Sequence, residues 1–267
     1  ILEPSTQQEA YDMMAYAYQL SEETKLPVLM RVVTRLAHSR AGVVVREPLA
    51  QNGLNPETDR THWVLLPANA RRQYASLVGK QGDLLASSEA SPYNHSELIT
   101  HNSKLGVIAC GIAYNYVMEN EPQKQDIPVL KVSQYPLPEA AIKALAEQCD
   151  ALLIAEDGQP LVEEQVKSIL GADYPLKGRL TGDLPRMGEL TPDSVGAALG
   201  VNIDQPYTNA QNVMPRPPAL CQGCGHRDVY DALNKVAAEY EGARIFGDIG
   251  CYTLGALPPF RAIDSCV

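Results

Sequence analysis

The stretch LGVIACGIAYNYVMENEPQKQDIPVLKVSQYPLPEAAIKALAEQCDALLIAEDGQPLVEEQVKSIL, residues 105–170, decides the fold class. Three apolar runs punctuate it, at 105–110, 129–132 and 151–155. Each is short, unbroken and rich in Val, Ile or Leu, the pattern of a strand buried on both faces. Helical segments separate them. One is expected from Ala113. Another opens at Pro138, whose missing N–H costs nothing in the first turn of a helix, and runs to about Gln148. A third covers 161–170. Strand and helix alternate with short connections, so a parallel sheet with helices on its faces is expected. Cys110 closes the first strand, and Cys149 shares a helix face with Ala141, Ile142 and Leu145. Both are expected to pack as small hydrophobes. Glu156 and Asp157 precede Gly158 at a strand end, where turn chemistry accounts for them.

Upstream, residues 6–24 have the period of an amphipathic helix, with Ala10, Met13, Met14, Ala17 and Tyr18 on one face. Thr6 and Glu9 have capping-box spacing. LPVLMRVV (26–33) is expected as a strand, with Pro27 confined to its start. A helix feeding a buried strand is again an α/β signal. TRLAHSR (34–40) leaves that strand, and His38 in it is expected to be structural. Residues 46–104 lack a long period and are expected to be a linker, with a helix over 68–82 and a small, polar stretch at 87–96. Residues 171–215 are a second expected linker, marked by Pro175, Pro185, Pro192, Pro206 and Pro215.

Downstream, ALCQGCGH (219–226) is followed by a helix expected over 228–240, with Val229, Ala232, Leu233, Val236, Ala237 and Tyr240 on one face. The Cys-rich turn therefore lies at a helix N-terminus, where unpaired N–H groups and the helix dipole favour anions and thiolates. A strand is expected at 244–246, ending in Gly247-Asp248-Ile249-Gly250-Cys251. Glycines there let the backbone approach a bound group. Cys221, Cys224 and Cys251 are thus candidates to converge on one ion or cluster. Spacing alone leaves four readings open: zinc with His226 or Cys266 as fourth ligand, an iron–sulfur cluster, a redox pair, or no metal.

Composition narrows the classes. The 267 residues carry 22 Lys+Arg against 32 Asp+Glu, a net charge of −10, so nucleic acid and anionic lipid are poor partners. No apolar run approaches the roughly 18 residues of a membrane helix, and no signal peptide is visible. Six cysteines in a long acidic chain of this kind are expected to be reduced thiols in the cytoplasm. The chain begins with Ile1 and is expected to be an internal piece of a longer polypeptide.

The motifs RPPALCQGCGHRDVYDAL (216–233) and FGDIGCYTLGALPPFRAIDSC (246–266) resemble the indolepyruvate-type α subunits of the thiamine-diphosphate-dependent 2-oxoacid:ferredoxin oxidoreductases. EAYDMMAYAYQLSEETKLPVLMRVVTRLAHSR (9–40) resembles the end of that family's pyrimidine-binding domain, and 105–170 its middle domain. The resemblance implies an α/β fold in which parallel-sheet domains of the thiamine-diphosphate-binding type flank a middle α/β domain. Its parts would be 1–45, the end of the pyrimidine-binding domain; 46–104, a linker; 105–170, the middle domain; 171–215, a linker; and 216–267, the start of the diphosphate-binding domain.

The implied reaction is oxidative decarboxylation of an arylpyruvate to an aryl-acetyl-CoA, with electrons passing through iron–sulfur clusters to ferredoxin. Pyruvate, branched-chain 2-oxoacids or 2-oxoglutarate are the alternative substrates, and a zinc-binding interaction module is the reading from another class. The implied cofactors are thiamine diphosphate, Mg²⁺ and a [4Fe–4S] cluster, and the implied partners are a smaller β subunit, ferredoxin and coenzyme A. Carried over residue by residue, cofactor contacts fall on Cys224, Gly225, His226, Gly250 and Cys251, and cluster ligation on Cys221, Cys224 and Cys251. No catalytic residue falls within these positions, and this stretch alone is expected to show no turnover.

Overall fold

The computed structural model describes residues 1–48, 50–51, 53–97, 102–201 and 217–266. They form two compact units, Ile1–Pro206 and Tyr207–Val267. In chain order the first contains α1 (Gln7–Thr24), α2 (Thr34–His38), α3 (Pro67–Gly79), α4 (Gln81–Glu89), β1 (His95–Glu97), β2 (Gly106–Cys110), α5 (Ala113–Glu119), β3 (Val129–Val132), α6 (Glu139–Ala146), β4 (Leu152–Ala155), α7 (Leu161–Leu170), β5 (Leu176–Lys177) and α8 (Pro192–Leu199). The sheet order is β1-β3-β2-β4-β5. β2 pairs in parallel with β3 and β4, β4 pairs in parallel with β5, and only the edge strand β1 runs antiparallel, along β3.

The three apolar runs of 105–155 are therefore the three central strands, buried along their whole length. Successive side chains alternate between two cores. Val107, Ala109, Val129 and Leu153 pack with α5 and α8 through Tyr116, Val117, Val195 and Leu199. Ile108, Cys110, Leu130 and Ile154 pack on the opposite face with α6 and α7 through Ile142, Leu145, Val162 and Val166. Cys110 and Cys149 are both buried in this second core, as expected. Cys149 lies where Gly106 leaves room for it: a Cβ on Gly106 would stand 2.6 Å from its sulfur.

Four expectations need correction. The strand expected over 26–33 is reduced to a single parallel bridge, Leu2↔Met30, fixed by Leu2 N–H to the Leu29 carbonyl (2.9 Å) and Arg31 N–H to the Leu2 carbonyl (2.8 Å). A strand needs a continuous partner, and among the described residues Leu2 supplies one bridge to this run. The helix expected over 68–82 is two, α3 and α4, joined at Lys80.

The stretch 46–104, expected as a linker, supplies the edge strand β1, and its polar part is tied to the sheet. The Ser88 hydroxyl donates to the Gln134 and Pro136 carbonyls at 3.0 and 2.5 Å, and the Asn94 side-chain oxygen accepts from Ser133 N–H and Gln134 N–H at 2.7 and 2.9 Å. Residues 171–201 of the second expected linker likewise belong to the sheet unit, adding β5, α8 and the buried Leu184, Leu190, Val195 and Leu199. Residues 202–215 of that linker, Pro206 and Pro215 among them, lie outside the described residues. Prolines here mark bends in packed chain: Pro192 sits in the first turn of α8, behind a Thr191–Ser194 capping box.

At the end of β4 the turn is structural, as expected, and more deeply built than its sequence suggests. The Glu156 carboxylate accepts from Val162 N–H and Glu163 N–H, both at 2.9 Å, at the first turn of α7. Asp157 pairs with Arg179, whose guanidinium also donates to the Glu156, Pro185 and Gly188 carbonyls. Burial pushes the Glu156 carboxyl above its ordinary pKa, more than the two N–H bonds lower it. The folded state then holds this proton more tightly than the unfolded chain, so its contribution to stability falls as pH rises through the raised value. Denaturation of the wild type and Glu156→Gln between about pH 5 and about pH 7, a range above the ordinary carboxylate pKa, should show the difference shifting towards the wild type as pH falls. A flat or reversed difference contradicts this reading.

The second unit contains α9 (Gly225–Ala237), β6 (Phe246–Gly247) and β7 (Ser265–Cys266), the two strands pairing in parallel. Its core is small: Leu220, Tyr230, Phe260 and Ala262, with Leu233, Leu254 and Ile263 packed around them. α9 starts three residues earlier than expected and buries Tyr230, one residue out of phase with the expected apolar face. Val229, Val236 and Tyr240 of that face are exposed.

Candidate cofactor site at the start of α9

Cys224 is the N-cap of α9, with extended backbone, and the turn before it closes with Cys224 N–H to the Cys221 carbonyl at 3.3 Å. Gly223 takes φ +72°, a conformation that suits glycine, and so lets the chain reverse into the helix. Gly225 and His226 are the first helical residues, and their N–H groups face out of the helix end with no helical carbonyl to accept them. His226 Nδ1 lies 3.2 Å from Cys224 Sγ.

The second loop is the turn between β6 and a 3-10 helix over Cys251–Ala256. Gly250, at φ +105° and ψ −140°, makes its sharp corner, in a region essentially closed to other residues. Asp248 stiffens the turn: its carboxylate accepts from Ile249 N–H at 2.7 Å and its carbonyl from the Thr253 hydroxyl at 3.4 Å.

Tyr230 joins the two loops. Its hydroxyl donates to the Tyr252 carbonyl at 2.7 Å, and its ring lies against Gly255, where a Cβ would stand 2.5 Å from ring carbon. The His226 ring meets the Tyr252 ring edge-on at 4.6 Å. Burial first, then the neighbouring Tyr252, Cys266, Cys224 and Cys251, raise the Tyr230 hydroxyl above its ordinary pKa. The expected cofactor residues Cys224, Gly225 and His226 therefore stand beside the turn that carries Gly250 and Cys251. Tyr230, Tyr252 and Gly255, which build the junction, were not expected as site residues. A tyrosine one place off an apolar stripe and a glycine inside a 3-10 turn are weak signals alone.

The test of this place for an anionic group is favourable. Two open N–H groups lie at the end of a helix of three and a half turns, and no atom lies within 4 Å of where a Cβ would stand on Gly225 or Gly250. The test for a metal is not: among the described residues, no three His, Cys, Asp or Glu side chains are close enough to hold one ion. Cys221 and Cys251 are exposed and Cys224 is half-buried. Elsewhere, His38 is exposed at the end of α2. Among the described residues, no helix is long and apolar enough to cross a membrane.

No family model matches the chain. Curated proteins do. It is 36% identical over 281 residues to indolepyruvate oxidoreductase subunit IorA of Methanothermobacter thermautotrophicus, covering 99% of this chain and 45% of that protein. The IorA subunit of Thermococcus kodakarensis is 35% identical over 292 residues, and that of Archaeoglobus fulgidus 32% over 285. The chain is a homologue of the IorA subunits. It spans about 45% of the length of the curated relatives it matches. The resemblance carried by the two cysteine motifs thus extends along the whole chain. Among solved structures, a 2-oxoglutarate:ferredoxin oxidoreductase from Magnetococcus marinus overlaps 51% of this chain and 24% of its own, at 16% identity and a TM-score of 0.38. A split-gene transketolase overlaps 40% of this chain and 41% of its own, at 17% identity and a TM-score of 0.31.

Proposed function

We propose that the chain is the central part of an IorA-type α subunit that oxidatively decarboxylates arylpyruvates, indolepyruvate among them, to aryl-acetyl-CoA, with ferredoxin as electron acceptor. In this reading, residues 1–45 end a pyrimidine-binding domain, the sheet unit is the middle domain, and the α9 unit begins a diphosphate-binding domain. A smaller β subunit, ferredoxin and coenzyme A are its partners, and the cytoplasm its compartment. The observation that carries the reading is the meeting of the Cys224–His226 helix start with the Gly250–Cys251 turn across Tyr230 and Tyr252. The names and the span of the IorA relatives support the same family and, through it, the arylpyruvate substrate.

Thiamine diphosphate, when bound, supplies the carbanion chemistry of decarboxylation. The share of this chain is binding and orientation. The N–H groups of Gly225 and His226 suit diphosphate oxygens, because the helix end is electropositive and its first N–H groups have no helical carbonyl to bond. Gly250 keeps the facing turn free of side-chain bulk. Tyr252 braces the His226 ring edge-on, leaving the ring nitrogen that faces away from Cys224 for an anion. No residue is assigned to Mg²⁺. No electron step is assigned to Cys221, Cys224 and Cys251.

The test is a substrate panel on the natural full-length protein, prepared without oxygen with its partner subunit, thiamine diphosphate, Mg²⁺ and coenzyme A. Viologen reduction is expected with indolepyruvate and phenylpyruvate at rates at least about tenfold above pyruvate, a margin of roughly 1.4 kcal/mol in transition-state binding. Preference for pyruvate would move the substrate, and no reduction with any acid would overturn the reading.

A further inference from the structure

The sheet of the first unit has a crevice of its own. From β2 the chain turns to α5 on one face, whereas from β4 it turns to α7 on the other. Adjacent parallel strands whose connections diverge in this way open a gap at their carboxyl ends, the place where open α/β sheets bind ligands. Here Gly111 follows β2 and Gly158 follows β4, with φ of +50° and +100°. Two side chains from the N-terminal segment lie over them. A Cβ on Gly111 would stand 2.5 Å from Glu3 Cγ, and one on Gly158 would stand 2.8 Å from an Arg31 terminal nitrogen. Arg31 pairs with Glu3 and donates to the Asp157 carbonyl, and the Tyr135 hydroxyl donates to Glu3 at 2.8 Å.

Beside this pair is a cavity of about 570 Å³. Leu20, Leu26, Val28, Leu84, Leu161 and Val162 form its apolar wall. Its acidic groups are engaged: Glu3 by Arg31 and Tyr135, Glu156 by two α7 N–H groups, and Asp157 by Arg179. Arg31 is different. Its described hydrogen bonds use one N–H on each terminal nitrogen, its side chain is 40% exposed, and a guanidinium carries further donors in the same plane.

We propose that this crevice is a small-molecule site for a ligand with an apolar body and a carboxylate head, the head held by Arg31 and the body by the wall that Leu161 completes. Its volume lies in the range of small-ligand pockets, and an apolar wall with few convergent polar groups is their usual lining. All of these residues belong to the first unit, and the proposed binding needs no thiamine diphosphate.

Hexanoate and its neutral counterpart hexanamide are suitable probes, followed by ligand-observed NMR on the natural full-length protein. Hexanoate should bind, and Leu161→Trp, which fills the rim from an exposed position, should weaken both probes about tenfold or more while leaving turnover unchanged. Arg31→Gln should weaken hexanoate about tenfold and hexanamide about twofold at most, because only the carboxylate gains a charge-assisted bond. No hexanoate binding, or binding unchanged in Leu161→Trp, overturns the site. Equal loss of both probes in Arg31→Gln overturns the carboxylate head.

Discussion

Arg179→Ala should cost the sheet unit about 3–5 kcal/mol, the usual loss when one partner of a buried ion pair is removed. The Arg179 side chain is 1% exposed and faces Asp157 at 3.1 Å. It also donates to the Glu156 carbonyl at 2.9 Å and the Pro185 carbonyl at 2.7 Å. Removing it takes the cationic partner from a buried carboxylate, which keeps a long 3.4 Å bond from Leu190 N–H, strips a donor from several carbonyls, and loosens the 178–190 loop from the end of β4. Chemical denaturation of the full-length protein, with the sheet unit followed by hydrogen exchange at β4 amides, measures the loss. A change below about 1 kcal/mol would mean that water replaces the guanidinium, and that the loop is not held as described.

The second large effect is at Tyr230. Tyr230→Ala should destabilise the α9 unit by about 3–5 kcal/mol, as for other buried aromatics cut to alanine. Few residues share the load there: Leu220, Phe260 and Ala262 are the other buried hydrophobics of that core. Tyr230→Phe separates packing from bonding. It keeps the ring against Gly255 and removes only the 2.7 Å bond to the Tyr252 carbonyl, so it should cost about 1 kcal/mol. Equal losses in the two variants would make the hydroxyl, not the ring, the centre of the core.

The sheet was legible because its signal is local. Runs such as VLKV and LLIA are short, continuous and bounded by turn residues, and each became a central strand with boundaries within a residue or so. The 26–33 run has the same composition and failed, because composition does not supply a partner: Leu2 gives it one bridge. The packed parts of the expected linkers were hidden for a related reason. Ser88, Asn94 and Arg179 act through long-range bonds to carbonyls and N–H groups of the sheet, which no periodicity records. At the candidate site the helix-start cysteine and glycines were legible as a motif, and the meeting of the two loops follows the strand-end rule. The phase of α9 was not. Its exposed Val229, Val236 and Tyr240 match an amphipathic stripe, yet shape selects Tyr230, whose ring fits the space that Gly255 leaves. The assignment of Cys221, Cys224 and Cys251 as cluster ligands came from the resemblance, because spacing alone does not fix the directions of side chains on an exposed turn.

The central claim is that the helix start at Cys224–His226 and the Gly250–Cys251 turn form one diphosphate site. Thiamine diphosphate binding by the natural full-length protein, measured by calorimetry without substrate, tests it most directly. The wild type should bind, and Gly250→Ala, which must hold a side chain at φ +105°, should bind about tenfold or more weakly, the equivalent of the roughly 1–3 kcal/mol of backbone strain, while α9 keeps its helical signal. A wild type that does not bind thiamine diphosphate, or a Gly250→Ala protein that binds it equally well, would contradict the account.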